Sequence, residues 1–340
     1  MLSNDFYVDD LLSGTVDDLL SGTSTIEDAI KMQQEISTLL QTAGLTLRKW
    51  ACNHSTFLNT IPKELQETQQ TLSLDNEDGV TTLGLLWNPK LDQLQVKDNI
   101  IQLQTTDSTV STKRKVLATT ASIFDPPRLL SPVSPAVIAY KIFLQKLWQD
   151  KLQWDELLPV HLQQEWNQLH RTIPKLSQLK INRKVVCSSA TNIQIHGFCD
   201  SSEQAYRACL YIRSKDNNKT FCELLCSTSK VAPLKQLTIP RLELCAATLF
   251  SKLYVKAICA LKMKIDESYL LTDSSIVLTW MQGPPNRWKT FVGNKVAIIQ
   301  EETASATWRH VPSQSNPADL VSRGAEPTTL SASTLWWKGP

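Results

Sequence analysis

Three consecutive alternating runs constrain most strongly what this chain can fold into. IQIHGFCD (193–200) and QAYRACLYIRS (204–214) alternate apolar and polar residues with the period of two that paired β-strands require, and TFCELLCSTSKV (220–231) makes a third. The period then lengthens. IPRLELCAATLFSKLYVKAI (239–258) sets Leu242, Ala246, Leu249 and Leu253 on one side of a helix. A buried strand SYLLTD (268–273), a short helix SIVLTWM, a helical stretch around FVGNKVAIIQEE, a strand ATWRHV and a last helix opening at NPADLVSR complete the order. Three strands, helix, strand, helix, strand, helix predicts an α/β fold with a mixed sheet and flanking helices.

Four acidic residues occupy the ends of these elements. Asp200 closes the first strand, Glu243 lies in the first turns of the following helix, Asp273 closes the fourth strand and Asp319 opens the last helix. Carboxylates delivered from strand ends and helix starts can converge at a sheet edge, where hard oxygen ligands suit Mg²⁺ or Mn²⁺. Two such ions about 3.5 to 4 Å apart would activate a water and stabilise the leaving oxygen of a phosphodiester. A lone acidic residue in such a place is more often a cap or a solvated charge, and NPAD also reads as plain helix-start chemistry, with Asn316 capping and Pro317 at the first helical position. His310, mid-strand in WRHV, reads more readily as a packed or surface histidine than as a proton shuttle. Trp288 between Arg287 and Lys289 reads equally as a core tryptophan or as a platform for a nucleic-acid strand.

At these residues the sequence resembles the ribonuclease H domain of Bel/Pao-type retrotransposon polyproteins. The words that carry the resemblance are HGFCDSSEQAY, SKVAPLKQLTIPRLEL, LLTDSSIVLTW, RWKTFVGNKVAIIQ and WRHVPSQSNPADLVSRG, which together span 195–324. The resemblance implies a ribonuclease H-like mixed sheet, two Mg²⁺ or Mn²⁺ ions held by Asp200, Glu243, Asp273 and Asp319, and cutting of the RNA strand of an RNA–DNA hybrid. Arg287, Trp288 and Lys289 become candidate substrate contacts. Two departures stand near the site: Arg207 replaces the usual glycine in AYRA, and Ile298 an acidic residue in NKVAIIQ.

Upstream, residues 8–15, VDDLLSGT, are repeated as 16–23. FYVDDLLSG resembles the reverse transcriptase hairpin that carries two metal-binding aspartates, which would make Asp9 and Asp10 a polymerase metal pair. LRKW, TLGLLWNP and KVLATTASIFDP resemble segments downstream of that hairpin in the family, although FDPP has Pro127 where Leu-Gly is usual. Polymerase chemistry also needs an aspartate from a separate strand. Only six residues precede Tyr7, so the expectation is a vestigial pair in a truncated palm with polymerase activity lost. Ser24 or Thr25 can cap a helix that Gly44 stops, and LTLRKW reads as a short strand. The helix begun at VLATTAS meets Pro126, Pro127, Pro132 and Pro135, after which a helical pattern bearing Trp148, Trp154 and Trp166 runs from Ala136 to Gln168. The expected organisation is a palm remnant (1–50), a thumb-like segment (51–115), a helical connector (116–185), the ribonuclease H-like domain (190–325) and a tail toward a missing integrase (326–340).

A balance of 35 basic against 33 acidic residues, net +2, gives no global field for a polyanion, so nucleic-acid contact must come from local patches. Eight cysteines without a C-x-x-C pair read as free thiols in a reducing compartment and point away from zinc. No run approaches a membrane span and no signal peptide opens the chain, so the expected setting is intracellular, in the cytoplasm or a retroelement particle. Two other readings compete: an inactive remnant that at most binds nucleic acid, and an aspartic peptidase by family label. The second lacks any D-T-G or D-S-G sequence for a shared-proton carboxylate pair.

Overall fold

The computed structural model describes residues 6–7, 18–19, 22–23, 25–67, 80–82, 85–96, 110–122, 131–187, 189–216, 219–261, 263–321 and 325–340. Asp9 and Asp10 lie outside the described residues. The chain divides into two units, one of residues 1–97, 125–127 and 180–183, the other of 98–124, 128–179 and 184–340.

In the first unit, strands β1 (Phe6–Tyr7) and β2 (Asp18–Leu19) pair antiparallel. Helix α1 (Ile26–Thr42) starts where the Thr25 hydroxyl accepts from the Asp28 amide at 3.1 Å, and Gly44, at φ 75°, takes the left-handed turn that ends it. The expected LTLRKW strand reduces to one parallel bridge, Trp50 to Gln66, because Lys49 at φ 57° breaks the extended backbone. After helix α2 (Ser55–Leu58), strands β3 (Val80–Thr82), β4 (Leu85–Asn88), β5 (Gln93–Val96) and β6 (Ile181–Asn182) form an antiparallel sheet in that order.

The second unit begins with α3 (Lys113–Ser122), α4 (Ser134–Gln149) and α5 (Val160–His170). The continuous helical pattern expected from Ala136 is interrupted between α4 and α5. Lys151 adopts φ 54° and Pro159 sits at the α5 start, where its fixed φ suits entry but not continuation. Strands β7 (Asn192–Ser201), β8 (Ala205–Lys215) and β9 (Thr220–Val231) form the antiparallel meander that the alternation predicts. Helix α6 (Ile239–Ala260) then supplies the crossover that a parallel neighbour needs. Strand β10 (Glu267–Thr272) joins β7 in parallel; helices α7 (Ser275–Gln282) and α8 (Thr290–Glu302) lead to β11 (Thr307–His310), parallel to β10. The resulting order is β11-β10-β7-β8-β9. Helices α9 (Pro327–Ala332) and α10 (Thr334–Lys338) follow.

One sheet face packs on α6: Ile195, Cys199, Leu210, Ile212 and Leu270 meet Leu244, Ala247, Phe250 and Tyr254, with Val277, Val296 and Ile299 extending the core. Gly197 is what lets the helix come so close, since a Cβ there would stand 2.3 Å from Phe250 Cζ. The opposite face, bearing Phe198, Arg207, Cys209 and Tyr211, is covered from both directions along the chain. The Ser134 and Ser227 hydroxyls lie 2.7 Å apart and the Gln145 amide donates to the Ala232 carbonyl at 2.6 Å, so α4 lies against β9. Trp336, fully buried, donates to the Pro132 carbonyl at 2.9 Å while its own carbonyl accepts from the Tyr211 hydroxyl at 2.7 Å. All eight cysteines are free thiols. Among the described residues no helix is long and apolar enough to cross a membrane.

Candidate active site

The parallel pairing of β7 and β10 brings the first carboxylates together. Thr272 is level with Cys199, so Asp273, the next residue after β10, emerges beside Asp200 at the same end of the sheet. Asp200 is 7% exposed, and its Oδ2 is buried without a hydrogen-bond partner. Glu243, in the second turn of α6, accepts a hydrogen bond from the Ser274 hydroxyl, the residue that also caps α7 through the Val277 amide. Asp273 accepts from the Ser313 hydroxyl at 2.8 Å.

Asp319 arrives differently from the helix start expected for it. Residues 319–321 form a single 3-10 turn. The Asn316 side chain sets this local structure: its Oδ1 accepts from the Ala318 amide at 3.1 Å and its Nδ2 donates to the Cys199 carbonyl at 3.1 Å, tying the turn to β7 one residue before Asp200. The bond from the Ala318 amide is the capping bond expected of Asn316, and the same side chain adds a tether to β7.

The charges report which carboxylates influence one another. Burial pushes the Asp200 carboxyl up to about 7, Asp273 adds to the rise, Arg207 opposes it and Asp319 raises it further. Burial also raises Glu243, the Ser274 hydrogen bond works against the rise and Asp273 adds to it. Arg207, directly across from Asp200 in the β7–β8 register, is pulled down to about 9 by burial, with Asp200 and Asp319 working against the fall, and so remains a cation at neutral pH. The four carboxylates offer hard oxygen donors, a set suited to Mg²⁺ or Mn²⁺. Among the described residues, however, no group of three or more His, Cys, Asp or Glu side chains is arranged to hold a metal ion.

The raised Asp200 value fixes the sign of a pH effect. Between its ordinary 3.8 and about 7 the folded state keeps a proton that the unfolded chain has released, so stability is fully present below the lower value and falls as pH rises through the window. In metal-free buffer the parent should lose on the order of 2 to 4 kcal/mol relative to Asp200→Asn between about pH 4 and pH 7. Urea unfolding of both proteins across that range checks it; parallel curves would mean that Asp200 is as well solvated as an ordinary aspartate.

The other predicted residues lie elsewhere in the unit. Arg287 and Lys289 are exposed; Trp288 is half-buried and donates its indole N–H to the Trp280 carbonyl at 3.1 Å. Sequence reasoning missed a neighbouring basic and aromatic group, in which the Arg241 guanidinium and the Lys295 ammonium each stand 5.3 Å from the Phe291 ring centre. The four-residue spacing of Phe291 and Lys295 on one helix was the available signal. His310 is exposed at the end of β11, level with Thr272. Ser274 and Ser313, which hold the site together, carried no signal distinct from ordinary loop residues, and Asn316 stood out only as a helix cap.

A five-stranded sheet with three antiparallel strands, two parallel additions and acidic residues at one end defines a ribonuclease H-like domain. Residues 112–274 match the family model of the Pao retrotransposon-like RNaseH-like domain. Solved structures similar to the chain include the ribonuclease H1 of the halophilic archaeon Halobacterium salinarum NRC-1, 14% identical over 36% of this chain and 86% of that one, with a TM-score of 0.24. LC11 ribonuclease H1 in complex with an RNA/DNA hybrid is 19% identical over 41% of this chain and 100% of that one, with a TM-score of 0.29. The foamy viral protease-reverse transcriptase in complex with an RNA/DNA hybrid is 14% identical over 69% of this chain and 29% of that one, with a TM-score of 0.41. No curated protein matches the chain.

Proposed function

We propose that the second unit is a metal-dependent endonuclease that hydrolyses the RNA strand of RNA–DNA hybrids, with Asp200, Glu243, Asp273 and Asp319 as its metal ligands. The observation that carries this reading is the buried, unpartnered Oδ2 of Asp200, in the field of Asp273 and Asp319. An apolar setting with repelling carboxylates is costly unless a cation offsets it. Magnesium or manganese, when bound, would supply an activated water and stabilise the leaving oxygen.

The chain's own residues divide the remaining work. Asn316 holds the Asp319 turn against β7, while Ser274 and Ser313 fix the Glu243 and Asp273 carboxylates by donating to them. Because no three ligands are gathered for one ion among the described residues, taking up metal requires these carboxylates to draw closer. Arg241, Arg287, Trp288, Lys289, Phe291 and Lys295 supply positive charge and ring faces for the hybrid. The family match to an RNaseH-like domain supports the same class of reaction.

The absence of a gathered three-ligand cluster among the described residues favours a second reading, a nucleic-acid binder that no longer cuts. One assay separates the two. The full chain is incubated with an end-labelled RNA–DNA hybrid in Mg²⁺, in Mn²⁺ and in excess EDTA. Cutting of the RNA strand with either ion, and none in EDTA, is the expected result. Binding of the hybrid by a folded protein without cutting under any condition would establish the second reading.

A further inference from the structure

One buried cation takes no part in that scheme. Arg207 is 2% exposed, and its Nε, Nη1 and Nη2 all lack a hydrogen-bond partner. Paired residues of adjacent strands project to the same face, so its register with Asp200 puts the guanidinium on the side of the sheet where the unpartnered Asp200 carboxylate oxygen lies. The small space beside it is lined by Ser134, Ser227, Thr228, Ala318 and Trp336, which offer no acidic partner. A buried charge without a hydrogen-bond partner is destabilising, and packing alone does not account for one at this position.

We propose that Arg207 is a built-in cation of the carboxylate cluster, a positioning residue that weakens the uptake of divalent ions and disfavours a second ion beside the first. The inference rests on the reading of the four carboxylates as metal ligands. When ionised, those four carry four negative charges, which two divalent ions would balance; a fixed positive charge across the β7–β8 pair from Asp200 leaves the second ion in excess. Arg207 thereby holds Asp200 in a partly neutralised state without metal, and any ion that enters must do so against its field.

The test is Mn²⁺ titration of the full chain, with free ion followed by electron paramagnetic resonance, a readout independent of cutting. Arg207→Met removes the charge at similar volume, and Arg207→Lys keeps it; Arg207→Gln serves as the neutral variant if the methionine protein does not fold by circular dichroism. Each is repeated with Asp200→Asn. The neutral variant should bind Mn²⁺ at least about tenfold more tightly, or take up an additional ion, while Arg207→Lys stays near the parent. Parent-like affinity and stoichiometry in a folded neutral variant, with Asp200→Asn still weakening binding, would overturn the proposal and leave the metal site standing. Binding that is absent throughout, or indifferent to Asp200→Asn, would remove the carboxylate site itself and the proposal with it.

Discussion

Asp200→Asn should lower metal-dependent cutting of the hybrid by at least about a thousandfold, the several kcal/mol of charge stabilisation expected of a ligand at a two-ion centre. The same substitution should leave the fold intact. Asparagine is nearly isosteric with the protonated acid, which burial already favours up to about pH 7, so neutral-pH stability should hold or increase. That opposite pair of outcomes, activity lost and stability kept, separates a chemical role from a structural one. Hybrid cleavage kinetics and urea unfolding on one protein preparation check both. Residual cutting close to the parent's would place the chemistry on other residues.

The second large effect concerns shape alone. In Gly197→Ala the new Cβ would stand 2.3 and 2.4 Å from two Phe250 ring carbons and 2.7 Å from Leu210 Cδ2. Phe250 is fully buried and packs edge-on against Trp308, with ring centres 5.4 Å apart, so its ring has nowhere to retreat. Helix α6 must therefore lift from the sheet. The expected cost is about 3 kcal/mol, or a fall in Tm of roughly 6 to 12 °C for a unit of this size. Since α6 also carries Glu243, cutting should fall with stability. Adding Phe250→Leu should recover part of both losses, and thermal unfolding of the two single variants and the double variant measures that coupling. A Tm unchanged by Gly197→Ala would mean that the close contact of α6 with β7 is not maintained in solution.

Much of this architecture was legible because local pattern and tertiary role coincide in the second half. The alternation of 193–231 marks three strands, and Asp200, Glu243 and Asp273 stand at the strand ends and helix start where the pattern placed them. Legibility failed where a side chain overrode a local signal. Asn316 and Pro317 spell a helix start, and Asn316 does cap, but residues 319–321 are 3-10 and its amide also bonds to a carbonyl 117 residues away, which no local pattern reports. Lys151 breaks the tryptophan-bearing helical stretch in a conformation that its residue type does not advertise. Arg207 was visible as an odd residue, but its burial and its unpartnered nitrogens depend on what covers the strand, which pattern does not report.

The two-sided cover of the sheet also governs the order in which the unit can be completed during synthesis. The face against α6 is built from segments that follow one another closely, whereas the other is sealed by a hydrogen bond between residues 204 positions apart, Trp336 and Pro132. Closing so long a loop carries a high entropic cost and tends to come late. Until the helix that holds Trp336 has left the ribosome, the Tyr211 hydroxyl lacks its partner, and the face of β7 and β8 that bears Asp200 and Arg207 has only the earlier-made α4 segment for cover.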